Sequence, residues 1–227
     1  MRWVIALLFA LALVSPALGQ EKDPFGLTPV KDMERFPIVV REWETMPKKL
    51  AYDAMLMDLC RYEPGMCSRS AKIALNLVER VKGLNEFERL REVDYEINRH
   101  LGYITDLEQW GPTEPSQPGK AARSERWTSP LEVLTSGKGD CEDYANLKLF
   151  ILWQAGIPLA NMRLVVIEYS DPDLSEVHSV LAAKPAMGRW FVLDIPLRYA
   201  LDYKVLYGLQ PYEVPVHPMV AEAQPAK

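Results

Sequence analysis

Cys141 lies between two carboxylates in the stretch GKGDCEDYANLK (137–148), with two glycines before it and a helical pattern after it. A cysteine in the first turn of a helix meets backbone N–H groups that have no intrahelical partner, together with the positive end of the helix dipole. Both favour thiolate, the nucleophilic form, over thiol. Asp140 and Glu142 oppose this unless a cation or their own geometry removes their charge from the sulfur. First-turn carboxylates are also what an ordinary helix start requires. A thiolate that attacks a carbonyl needs a base, and the base needs an orienter.

There are three histidines. His100 closes a helical stretch, His217 lies in a Pro- and Ala-rich tail, and His178 sits in the strand-like EVHSVLAA (176–183). If KPAMG (184–188) closes a symmetric hairpin with RWFVLDI (189–195), 183 pairs with 189, 180 with 192 and His178 with Asp194. Directly opposed Cβ atoms are roughly 5 Å apart, within reach for an imidazole and a carboxylate. A shift of one residue would place them on opposite faces. In chain order, Cys141, His178 and Asp194 can serve as nucleophile, base and orienter, with the Cys141 N–H as one oxyanion donor.

The elements that must position these residues can be read from periodicity. Leu50, Ala54, Leu56, Met57 and Leu59 recur at helical spacing from Trp43 to Cys60. Ser68 caps a second helix with Ile73, Ala74, Leu77, Val78 and Val81 as its stripe, ended by Gly83. Asn85 caps a third through His100, with Phe87, Leu90, Val93, Ile97 and Leu101 inward. After the polar, proline-rich loop GPTEPSQPGK (111–120), Ser129-Pro130 opens a short helix, with Ser129 as N-cap, that Gly137 stops. A longer helix then runs from Cys141 to Gln154 and closes at Gly156 and Pro158. RLVVIEY (163–169), EVHSVLAA and RWFVLDI are strands, and 199–214 adds one more. The fold class is therefore α+β. A helical lobe (43–110) and a catalytic helix with an antiparallel sheet (127–214) make one domain over 43–214, between an extended arm (20–42) and a flexible tail (215–227). The tryptophans Trp43, Trp110, Trp127, Trp153 and Trp190 are expected in the core.

WTSPLEVLTSGKGDCEDYANLKLFILWQAGIP (127–158), EVHSVL (176–181), WFVLDI (190–195), INRHLGYITDLEQWG (97–111) and the paired-cysteine segment 60–67 together resemble the bacterial transglutaminase-like cysteine peptidases (BTLCP), including their LapG-type periplasmic proteases. The resemblance covers roughly 43–200. It implies a transglutaminase-like, papain-type fold and a Cys141–His178–Asp194 triad. It also implies a calcium site that uses Asp140 and Glu142, with Ca²⁺ as cofactor. The implied substrate is a large cell-surface adhesin cut near its N-terminus at a dialanine-type site, as in biofilm release, and the implied regulator is an inner-membrane cyclic-di-GMP receptor. Two alternatives share the same residues: an acyl transferase or amidase that passes the thioester to an amine, and a binding module with an inactive site.

Composition narrows the context. The chain has 227 residues, net charge −5 and 48% hydrophobic residues, ordinary globular values that exclude a disordered chain, a collagen or a coiled coil. No basic stripe is available to replace phosphate counterions, which argues against nucleic-acid binding. Residues 1–19 read as a secretory signal peptide: Arg2, an apolar run from Trp3 to Val14, Ser15-Pro16, then small residues up to cleavage after Gly19. The apolar run is too short for a membrane span, so export is expected, and the resemblance implies the periplasm as the location. Export permits a disulfide between Cys60 and Cys67 across the Pro64-Gly65 turn. Cys141 is then the odd cysteine.

Overall fold

The computed structural model describes residues 37–112, 124–168, 177–186, 190–195, 212–213 and 220–223. The expected signal peptide, the arm up to residue 36, most of the 111–120 loop and His217 lie outside the described residues.

Helix α1 spans Pro37–Tyr62, so residues 37–42 are helical, not part of an extended arm. A proline is well suited to the first helical position, where its missing N–H costs nothing. The Trp43 ring packs edge-on against Trp127 at 5.7 Å, tying this early part of the helix to the body. Met46, Leu50, Met57 and Cys60 form the buried stripe. Leu59, expected inward, is exposed. A 3-10 turn, Pro64–Met66, lets Cys60 and Cys67 close a disulfide.

Helices α2 (Arg69–Lys82) and α3 (Glu86–His100) follow with the expected caps. Ser68 Oγ accepts from the Ala71 N–H, and Asn85 with Glu88 makes a capping box. Such caps contribute about 1 kcal/mol each. Ala74, Val78 and Val81 of α2 and Leu90, Val93 and Ile97 of α3 are buried. Ile73 faces solvent. Phe87 is at the rim, its ring 5.2 Å from that of Phe191. Both lie at the edge of the apolar stripe, where periodicity alone does not resolve burial.

Strand β1 (Gly102–Tyr103) and helix α4 (Asp106–Trp110) come next, then α5 (Pro130–Ser136), β2 (Lys138–Gly139), which pairs parallel with β1, and α6 (Cys141–Gln154). Ser129 holds the N-cap position of α5, but its side chain makes no cap bond. Asp53 of α1 takes that role, accepting from the Leu131 N–H at 2.8 Å. Gly137 ends α5 at φ 68, a left-handed conformation that favours glycine.

Every residue of α6 from Glu142 to Leu152 is buried. The helix is packed all round, which fixes its N-terminal residue firmly. Strands β3 (Met162–Glu168), β4 (Val177–Ala183), β5 (Phe191–Leu193), β6 (Tyr212–Glu213) and β7 (Val220–Ala223) form an antiparallel sheet in the order β6-β5-β4-β3-β7. Leu164, Leu181, Ala183 and Leu193 share one apolar cluster with α6. Strand β7 lies in the stretch expected to be a flexible tail. It pairs with the edge of β3, whose backbone groups would otherwise lack ladder partners. Among the described residues, no helix is long and apolar enough to cross a membrane.

The hairpin register differs from the symmetric closure. Leu181 pairs with Leu193, Ala182 with Val192 and Ala183 with Phe191. The connection therefore reaches further than KPAMG, and every pair is displaced by two residues. A displacement of two keeps each side chain on its face. His178 and Asp194 remain on the same side as diagonal neighbours.

Candidate active site

Three elements present the chemical groups. Cys141 is the first residue of α6, His178 the second of β4, and Asp194 follows the last residue of β5. His178 Nε2 lies 2.7 Å from Asp194 Oδ1. That contact leaves Nδ1 as the ring nitrogen for the thiol, and His178 is hydrogen-bonded to Cys141 as well. The structure thus joins the three residues through one imidazole. Burial by itself would push His178 down. The hydrogen bonds and charges of Asp194 and Cys141 outweigh burial and raise it to about 10. With that value the ring carries a positive charge beside the sulfur at neutral pH. His178 is buried, while Cys141 is partly exposed and open to a reactant.

The start of α6 suits developing negative charge. Asp140 holds the N-cap position with extended backbone and makes no side-chain cap bond. The Cys141 N–H, at the first helical position, belongs to the turn that lacks intrahelical acceptors. Gly139 permits the close approach just before it. A Cβ there would meet the Asp143 side chain at 2.6 Å. Asp143 is itself fixed, accepting from the Thr128 N–H at 2.7 Å.

The carboxylates beside the cysteine belong to a wider acidic group. Asp106, Asp140 and Glu142 each offer an oxygen, and these lie within 4.8 Å of one another. Asp140 Oδ2 accepts from the Asp106 N–H at 3.1 Å, and Asp140 Oδ1 is buried without a hydrogen-bond partner. Burial and then the Asp140 charge raise Asp106 to about 7. Burial, with Asp140 and Glu42 adding repulsion, raises Glu125 to about 7 against the bond from the Trp127 indole. Burial and neighbouring negative charge raise Glu142 and Asp143 well above the carboxylate range. Glu142 Oε2 also lies 3.1 Å from Cys141 Sγ, a contact that competes with His178 for the thiol.

Asp140 and Glu142, singled out on resemblance, are therefore together beside the sulfur. Asp106 was not expected among them. It arrives on α4, whose Thr105-x-x-Glu108 capping box is a legible helix start. Nothing in its spacing links it to Cys141. Lys148 of α6 and Asn98 of α3, without an expected duty, both reach Asp194 through its main-chain oxygen. Trp127 is buried as expected. Trp110 is exposed instead, with the Arg126 guanidinium 4.0 Å over its ring.

Residues 50–199 match the family described as bacterial transglutaminase-like cysteine proteinase, BTLCP. Among solved structures, LapG of Legionella pneumophila is similar at 25% identity over 63% of this chain and 71% of its own, with a TM-score of 0.44. Its calcium-bound form is similar at 24% identity over 70% of this chain and 81% of its own, with a TM-score of 0.45. No curated protein matches the chain.

Proposed function

The chain belongs to the bacterial transglutaminase-like cysteine proteinases, and from that membership we propose that Cys141, His178 and Asp194 are its catalytic residues and that it processes an exported surface protein in the periplasm. The observation that carries this reading is the single imidazole bonded to both the helix-tip thiol and the Asp194 carboxylate. In the first step Cys141 Sγ bonds to the peptide carbonyl carbon. The developing oxyanion is met by the Cys141 N–H. His178 then gives its proton to the amide nitrogen, the C–N bond breaks, and the amine leaves a thioester behind. Water attacks the thioester, His178 takes one water proton, and collapse of the intermediate releases the acid and returns Cys141 as thiolate beside the imidazolium. Asp194 holds the ring in orientation through both steps and stabilises its charged form.

Membership also supports a large adhesin as substrate, cut near its N-terminus, with a cyclic-di-GMP receptor of the inner membrane as regulator. N-terminal sequencing of proteins released from cells tests the substrate. Fragments with a common new N-terminus appear with the wild-type chain and vanish with Cys141→Ala. Identical release patterns from the two strains would refute the assignment.

The acidic group fits a hard divalent cation. Three clustered carboxylates, one with an orphaned buried oxygen, suit the oxygen-rich coordination of calcium. Asp106, Asp140 and Glu142 would hold it. The ion supplies a fixed positive charge that offsets their mutual repulsion. The pH dependence has a defined sign. Asp106 has a folded value of about 7 against 3.8 ordinarily. Its protonated form therefore favours the folded chain at acid pH, and that contribution is lost as pH rises through about 7. Calcium-free protein is then expected to lose stability between mildly acid and mildly alkaline conditions. Calcium should raise the melting temperature more at pH 8 than at pH 5, equivalent to about 3 kcal/mol at a roughly hundredfold excess over Kd. Calorimetry with calcium or with EGTA checks this. An unchanged melting temperature at pH 8, or an equal shift in Asp140→Asn/Glu142→Gln, would refute the site.

A further inference from the structure

A fully buried lysine lies on the same helix as the proposed nucleophile. Lys148 follows Cys141 by two helical turns, roughly 10 Å along α6, and its side chain has no solvent exposure. Its ammonium pairs with Asp94 Oδ1 of α3 at 2.7 Å. Burying such a pair rarely improves stability over a well-packed apolar pair, so stability alone does not account for it. The informative contact is the second one. Lys148 Nζ donates to the main-chain oxygen of Asp194 at 2.7 Å.

Asn98, one turn along α3 from Asp94, donates to the same oxygen at 2.8 Å. The β4–β5 ladder has ended by this point, its last pair being Leu181 with Leu193. Two helices, not the sheet, therefore fasten the backbone that carries the Asp194 carboxylate. That carboxylate accepts from the next backbone N–H, Ile195, at 2.7 Å with the same oxygen that meets His178. The contacts close a circuit from Cys141 along α6 to Lys148, to Asp194, to His178 and back to the sulfur.

We propose that Lys148, paired with Asp94 and assisted by Asn98, is a positioning residue that holds the Asp194 backbone so that its carboxylate meets His178. This rests on the triad reading above. Lys148 is buried two helical turns from Cys141, and it bonds to Asp94 and to the Asp194 main chain. Its effect passes through one main-chain oxygen, and a displacement of about 1 Å at such a distance from the chemistry costs up to about a hundredfold in rate.

The test uses Lys148→Met/Asp94→Asn, which removes both charges of the pair at once, and Asn98→Ala, which removes the second donor alone. Two readouts are taken: alkylation of Cys141 by iodoacetamide at neutral pH, and kcat and KM on a quenched fluorescent peptide containing an Ala-Ala bond. The double variant is expected to alkylate at least about tenfold more slowly and to lose about 10- to 100-fold in kcat with KM nearly unchanged. Asn98→Ala should move the same quantities in the same direction by less. Wild-type alkylation and kcat in a folded double variant would overturn the inference. Should the double variant fail to fold, wild-type values in Asn98→Ala would do so. Failure of the triad reading itself looks different: there Cys141→Ala or Asp194→Ala would retain hydrolysis, whatever Lys148 does.

Discussion

Cys141→Ala is expected to leave no measurable peptide hydrolysis, a loss of at least about 10³-fold, while the chain folds and melts as the wild type does. The residue is partly exposed at a helix start, so truncation opens no cavity in the core, and alanine is the best helix former. Cys60 and Cys67 are joined to each other. No second free thiol can therefore substitute. Hydrolysis of a quenched peptide beside a circular-dichroism melt checks both halves of the expectation. Residual cleavage above about one per cent of wild type would move the nucleophile elsewhere, since residual rates in triad enzymes without their nucleophile are far lower.

His178→Ala is expected to cost about 10³- to 10⁴-fold in kcat/KM, because the thiol loses its proton acceptor and the leaving amine its donor in one change. Cys141→Ala/His178→Ala should be hardly worse than either single change, as groups that act as a unit are not additive. Asp194→Asn provides the graded comparison. An amide can still accept from the ring through its oxygen, as in Cys-His-Asn enzymes, yet it lacks the charge that stabilises imidazolium. Its activity should fall between wild type and Asp194→Ala, and its alkaline limb should move to lower pH, since Asp194 is part of what raises His178 to about 10. Steady-state rates across pH measure both. Equal loss in the two Asp194 variants would mean that the charge, not the orientation, is what the side chain contributes.

Helix starts were the most legible part of the chain. Ser68 and Asn85 bond their own first-turn N–H groups, a contact that local sequence encodes. Ser129 does not, because Asp53 supplies the acceptor from a helix distant in sequence. The hairpin shows the same division. Alternation placed His178 and Asp194 on one face, and that survives a two-residue displacement of the register. The displacement itself depends on a loop whose closure no local pattern dictates. At the arm, scattered prolines without a clear period read as extended chain, but the start of α1 is settled by packing such as Trp43 against Trp127. At the other end, the pairing of β7 with β3 is a long-range choice made by an open sheet edge.

The site divides in the same way. Cys141 and its flanking carboxylates are contiguous and could be read directly. Asp106 joins them only because the parallel β1–β2 pair brings the start of α4 beside the start of α6. Lys148 could be placed on the helix but not explained, since its two partners come from α3 and from the end of β5.

The central claim is that His178, held by Asp194, keeps the Cys141 sulfur in its reactive form. The rate of Cys141 alkylation by iodoacetamide at pH 6, compared between wild type and His178→Ala, tests this without any knowledge of the substrate. The wild-type chain should react at least about tenfold faster than the variant, because an unassisted thiol, with a reference pKa of about 8.5, is almost wholly protonated at that pH. Equal, slow rates in both proteins would contradict the account.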